Sequence, residues 1–135
     1  MHVIHDENEA QALGALIEVM EACWSRRDAD AVLRFVDDQI QFIGMEDQQM
    51  VCGKKQFEAL LRHRISKYPQ GCRLNYGQLY CGSFGRECVL ISGEIKVARD
   101  GAEPVALRLS AMLKKGCEKY ILCGVHISYA ADISR

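Results

Sequence analysis

The chain has 135 residues, 49% of them hydrophobic and 26% charged, a composition that excludes disordered, collagen-like and membrane-spanning classes and fits one soluble domain. With 17 basic and 18 acidic residues the formal charge is -1, which argues against nucleic acid or an anionic membrane as partner. Such a length is enough to bury roughly two thirds of the surface that the unfolded chain exposes.

The first nine residues are polar and acidic, and no later run approaches about 18 apolar residues, so the expected location is cytoplasmic. From about Glu9 to Arg27, Leu13, Leu16, Ile17, Met20, Cys23 and Trp24 recur at three- and four-residue spacing, the apolar stripe of a helix. Asp28 is placed to cap a short second helix whose Val32, Phe35 and Val36 form one face, and Asp37-Asp38 ends it. Gln39 to Gly44 alternates as a strand, and Met50 to Gly53 is a brief extended piece. Gly53 then opens a third helix with Phe57, Leu60, Leu61 and Ile65 inside, stopped at Tyr68-Pro69.

Beyond Gly71 every periodic signal is a strand: Cys72 to Cys81, Glu87 to Ala98, Pro104 to Lys114 and Lys119 to Tyr129. The turns expected between them are Gly82 to Gly85, Asp100-Gly101 and Lys115-Gly116. The order is ααββαββββ, an α+β cone in which three helices pack on a strongly curved, mostly antiparallel sheet, within one domain spanning residues 1–135.

The seven cysteines are odd in number, scattered and free of any C-x-x-C pair, so reduced thiols are expected rather than a disulfide framework or a zinc site. The basic groups Arg26-Arg27, Lys54-Lys55, Arg62-His63-Arg64 and Lys114-Lys115 read as solvated faces. No phosphate loop, metal-spaced cluster or nucleophile elbow is visible, and no cofactor is expected.

Several motifs resemble the nuclear transport factor 2-like superfamily, and within it the SnoaL-like polyketide cyclase and ketosteroid isomerase relatives. They are Trp24-Ser25-Arg26-Arg27-Asp28 after the first helix, the Phe35-Val36-Asp37-Asp38 junction, Gly53-Lys54-Lys55, and the closing Arg108-x-Ser110, Tyr120-x-Leu122 and His126-x-Ser128. The resemblance runs from about residue 10 to 130 and implies a cystatin-like cone with a pocket between helices and concave sheet. It also implies a homodimer formed through the other face of the sheet. The isomerase residues do not carry over: the first strand reads Phe42-Ile43-Gly44 where those enzymes place an aspartate base, and Met20 stands near their helix-one tyrosine.

His126 is the candidate acid-base group, weighed against a histidine satisfied structurally in the core or at a dimer interface. Arg108 is the candidate anion holder or electrostatic partner, weighed against a cross-strand ion pair with Glu94. Strict alternation puts Tyr120, Leu122, Gly124, His126 and Ser128 on one face, whereas the facing of Arg108 depends on the turn before Tyr120. Trp24, Phe42, Met45, Tyr76 and Tyr80 are placed to line the pocket mouth, weighed against plain core, with Ser110, Tyr120 and Ser128 as further ligand-binding candidates.

These observations predict a homodimer that binds a small apolar or aromatic molecule, with or without a carboxylate. The alternatives are an isomerase, cyclase or dehydratase using His126, with Arg108 or Tyr80 as its partner, and a protein association module.

Overall fold

The computed structural model describes residues 2–3, 6–44, 50–67 and 70–130. Helix α1 (Glu7–Met20) starts where the Asp6 carboxylate accepts the Glu9 N–H at 2.8 Å, and its buried stripe includes Ala12, Leu13, Leu16, Val19 and Met20. The helix does not run on regularly to Arg27. It widens into a π-helical turn (Glu21–Ser25), closed by Arg26 N–H donating to the Glu21 carbonyl at 2.9 Å, and this turn carries Cys23 and Trp24. Asp28 caps α2 (Ala29–Leu33) as its side chain accepts from the Ala31 N–H at 3.1 Å.

Strand β2 (Val36–Ile43) begins three residues earlier than alternation suggests, inside the Asp37-Asp38 junction, and pairs with β3 (Met50–Cys52). Helix α3 (Lys54–Lys67) follows, and its expected stop at Tyr68-Pro69 lies outside the described residues. The long strands are β4 (Arg73–Phe84), β5 (Cys88–Ala98), β6 (Val105–Lys115) and β7 (Tyr120–Tyr129). The first hairpin turn is Gly85 to Glu87 rather than Gly82 to Gly85, because β4 continues to Phe84. A two-residue strand with no periodic signal, β1 (His2–Val3), adds to the expected order and lies parallel to β4.

The sheet is open and mixed, in the order β1-β4-β5-β6-β7-β2-β3, antiparallel except for the β1–β4 and β2–β7 pairs. Helices cover one face, and the core of Leu16, Ile40, Ile91, Ile95, Leu107 and Leu113 fills the space between. Two bulges bend it. Tyr76 pairs with Ile95 but Leu79 with Gly93, leaving one extra residue in β4; Leu113 pairs with Leu122 but Met112 with Gly124, leaving Cys123 extra in β7. Each extra residue reverses the alternation beyond it, so both bulges decide which side chains reach the cone.

Candidate functional site

Helices and inner sheet face enclose a cavity of about 60 Å³. Trp24 of the π-helical turn and Phe42 of β2 line it, with Met20, Leu61, Val125 and Ile127 supplying apolar wall. The cation in this wall is Arg64. It stands on the same stripe of α3 as Phe57 and Leu61, is 8% exposed, and holds its guanidinium carbon 5.9 Å from the centre of the Phe42 ring. Phe42 in turn meets Phe57 edge-on, with ring centres 5.7 Å apart.

A smaller recess of about 20 Å³ adjoins the first, sharing Cys23, Trp24 and Arg64 and adding Arg27 and Ile65. The Arg27 backbone is left-handed, with φ of 57°, a conformation uncommon for a residue with a side chain. The π-helical turn is held from below by Cys72, whose N–H donates to the Trp24 carbonyl at 2.7 Å. Gly71 makes that approach possible, since a Cβ there would stand 2.6 Å from the Ser25 carbonyl oxygen. Although Cys23 keeps some exposed surface, its sulfur is enclosed: burial pushes the thiol up to about 12, opposed by the nearby Arg64 charge.

The sequence candidates divide between the two faces. Tyr76 points inward with a half-buried phenol that donates to Glu21 Oε1 at 3.0 Å, but it does not line the cavity; burial, then this bond, raises its pKa. Tyr120 also points inward and is 2% exposed, and among the described residues its hydroxyl has no hydrogen-bond partner. Met45 lies outside the described residues. Tyr80 is 58% exposed on the outer face, because the β4 bulge separates it from Tyr76.

The expectation that Tyr120, Leu122, Gly124, His126 and Ser128 share a face is corrected by the Cys123 bulge. Tyr120 and Leu122 face the core, whereas His126 is exposed on the outer face. The same bulge brings Arg108 and His126 together on that face despite the four residues between Lys115 and Tyr120, which alone would have kept them apart. One cross-strand row reads Tyr80, Ser92, Ser110, His126, Ile43, Met50, and the next reads Glu94, Arg108, Ser128. Ser92 and Ser110 hydroxyls are 3.4 Å apart. Glu94 and Arg108 are direct cross-strand neighbours, yet no ion pair joins them among the described residues.

Sequence reasoning missed Arg64 and Cys23 as cavity residues. Arg64 was hidden within Arg62-His63-Arg64, read as a solvated group, but Phe57, Leu61 and Arg64 at spacings of four and three are the inner stripe of a helix.

No protein-family model matches the sequence, and no curated protein matches it either. Solved structures do. An NTF2-like protein of unknown function from Pseudomonas putida is 15% identical, with a TM-score of 0.81 over 93% of this chain and 89% of its own. A protein of unknown function with a cystatin-like fold from Nostoc punctiforme is 10% identical, with a TM-score of 0.80 over 97% of each chain. A ketosteroid isomerase-like protein from Erwinia carotovora is 17% identical, with a TM-score of 0.70 over 95% of this chain and 100% of its own. At these identities the likeness is one of fold, and the fold is the cystatin-like α+β cone of NTF2-like proteins.

Proposed function

We propose that this chain is a small-molecule-binding domain that takes a compact, mainly apolar ligand into its cone and assembles as a homodimer through the outer face of its sheet. The observation that carries the reading is the cavity of about 60 Å³, walled by Trp24, Phe42, Leu61, Val125 and Ile127. Binding without turnover is favoured because the described wall contains no histidine or carboxylate. Its one thiol is held protonated by burial, so general base and nucleophile are both lacking there at neutral pH. His126 and Arg108, the pair the enzyme reading needs, stand together on the far face of the sheet.

That far face supports the assembly half of the reading. Ile43, Met50, Tyr80, Phe84 and Met112 are large apolar side chains exposed there, interspersed with small hydroxyls. Glu94 and Arg108 are adjacent and unjoined within one chain, an arrangement that a two-fold related copy can satisfy in trans.

Native mass spectrometry of the freshly purified protein tests both halves at once. A dimer carrying a reproducible added mass is expected, with Val125→Phe losing the added mass but remaining dimeric, and Met112→Lys becoming monomeric. A monomer at micromolar concentration refutes the assembly. A bare mass, together with no thermal response to a panel of small apolar acids, amides and ketones, refutes the pocket.

A further inference from the structure

We propose that this chain has a second binding site, outside the cone, for small hydrophilic molecules that carry a primary ammonium group, with Glu21 as its anchor. The site is a cleft of about 470 Å³ whose lining includes Glu21, Ser25, Gly71, Cys72, Arg73 and Asp100, none of which lines the cone cavity.

The π-helical turn has two sides. Cys23 and Trp24 line the cone, whereas Glu21 and Ser25, four residues apart, open on the cleft. Ser25 Oγ stands 2.9 Å from Glu21 Oε2 and 2.8 Å from the Cys72 carbonyl oxygen, and the Tyr76 hydroxyl donates to Glu21 Oε1 at 3.0 Å. The two carboxylate oxygens are thus positioned from two different elements, the turn and β4.

This arrangement is short of protons. A serine hydroxyl has one O–H, so Ser25 donates to Glu21 or to Cys72 but not to both, and the other short oxygen–oxygen contact contains no proton. Three acceptor oxygens are therefore gathered around a single hydrogen. A primary ammonium brings three N–H donors and no acceptor, which is the complement of such a group.

Charge is unbalanced in the same direction. Among the described residues the half-buried Glu21 side chain forms no ion pair, and its hydrogen bonds are those to the two hydroxyls. Arg73, the cation of the cleft lining, is engaged by Asp100 at 2.8 Å, and Arg26, next to Ser25 in the chain, is engaged by Glu18. One negative charge in the lining is left without a cation, at Glu21, and a carboxylate withdrawn from water is costly unless it gains a partner. Gln70, Arg73 and Asp100 at the rim are exposed, so a hydrophilic ligand enters from solvent. The volume is several times the roughly 150 Å³ that admits benzene, ample for a two-carbon amine and for its trimethylated form.

The test titrates the full chain at neutral pH with three probes while following backbone amide signals by two-dimensional NMR. Ethanolamine carries the ammonium, ethylene glycol has a hydroxyl in its place, and choline keeps the charge but has no N–H donor. Ethanolamine is expected to move the Ser25, Gly71 and Cys72 signals saturably, and ethylene glycol to leave them in place. Choline is expected to bind at least roughly 10-fold more weakly than ethanolamine, the loss that follows when charge-assisted hydrogen bonds are removed. Glu21→Gln keeps an acceptor for Tyr76 and can donate to Ser25 Oγ, so it preserves the local bonding while removing the charge, and it is expected to lose the ethanolamine response. No saturable response to ethanolamine, or an equal response to ethylene glycol, overturns the site. Choline binding as tightly as ethanolamine overturns the part given to the three oxygens, since attraction by charge alone needs no N–H. A Glu21→Gln chain that still responds overturns Glu21 as the anchor. The three titrations of the unaltered chain decide the matter even where the variant fails to fold, and none of these results bears on the cone.

Discussion

Gly93 is the tightest point in the sheet, and Gly93→Ala measures how firmly the β4 bulge is held. Gly93 lies on the inner side of β5 opposite Leu79, just beyond the extra residue of β4. A Cβ built there would strike the Gln78 carbonyl oxygen and approach Leu79 Cδ2 to 2.6 Å and Leu79 Cα to 3.1 Å. A side-chain methyl rotates away at little cost, but Gln78 O and Leu79 Cα belong to the bulge backbone, which moves only if its pairing with β5 is disturbed. Overpacking of this kind costs about 3 kcal/mol at the upper end. Replacing glycine by alanine also restricts the unfolded chain and returns about 0.5 to 1 kcal/mol, since the Gly93 backbone is not left-handed. The steric effect wins, leaving a net loss of roughly 2 kcal/mol, equivalent to a fall in Tm of about 6 to 10 °C for a domain of this size. Urea unfolding followed by Trp24 fluorescence, with calorimetry alongside, gives both quantities. A change within about 0.5 kcal/mol of zero would mean that the bulge yields freely and would refute the claim that it fixes which side chains face the cone.

Gly14→Ala should act in the opposite direction: this residue is exposed in the interior of α1 with nothing within 4 Å of its missing Cβ, so the gain is about 1 kcal/mol, read as a rise in Tm of a few degrees. The Asp37 carboxylate meets Lys114 Nζ at 2.9 Å, and hydrogen bonds from Lys114 and the Gln39 N–H hold its pKa below the ordinary 3.8. Because the folded value is depressed, the pair's stabilisation is present above about pH 4 and is lost as pH falls through the folded value; the Lys114 value is raised by the same contact, so it is lost again only above about pH 10. Asp37→Asn should therefore unfold earlier than the unaltered protein at neutral pH, with the gap closing as pH falls through the folded value, and a gap that persists once the carboxylate is protonated counts against the pairing. With its thiol at about 12, Cys23 should resist iodoacetamide at mildly alkaline pH, where the exposed Cys52 and Cys117 react within minutes, as peptide mass mapping will report; rapid alkylation of Cys23 in the native protein would show that its sulfur is not enclosed.

The helices, the four long strands and their order were legible because each element repeats its own signal: Leu13, Leu16 and Met20 at helical spacing, or Leu107, Leu109, Ala111 and Leu113 alternating inward. The two-residue β1 carries no such signal, since its place depends on a partner more than 70 residues away, as His2 meets Leu79. The candidate site was less legible for one physical reason. Alternation is a parity rule, and a single unpaired residue inverts it; Tyr76 and Tyr80, or Tyr120 and His126, share parity in the sequence but lie on opposite faces because the Gly77-Gln78 region and Cys123 each contribute one residue too many. Arg64 failed for a different reason, as a charged residue among charged neighbours, even though its spacing from Leu61 gave its direction.

The two bulges also place the proposed ligand site and the proposed assembly face on opposite sides of the sheet. Without Cys123 as an extra residue, β7 would pair one position out of step. His126 would then enter the cone in place of Val125 and Ile127, and the cavity would gain an acid-base group. With it, β6 and β7 send Arg108, Ser110, His126 and Ser128 outward, and the inner face is left to Leu107, Leu109, Ala111, Val125 and Ile127. The sheet thus contributes shape to the cone but no charge, so whatever polarity the pocket has must come from the helical side, where Cys23 on the π-helical turn and Arg64 on α3 supply it. It follows that substitutions at Arg64 should change which molecule is held without changing subunit count, and that substitutions at Met112 or Ile43 should do the reverse. A variant at either place that altered both properties together would mean that the two faces communicate through the sheet, and the separation argued from its parity would fail.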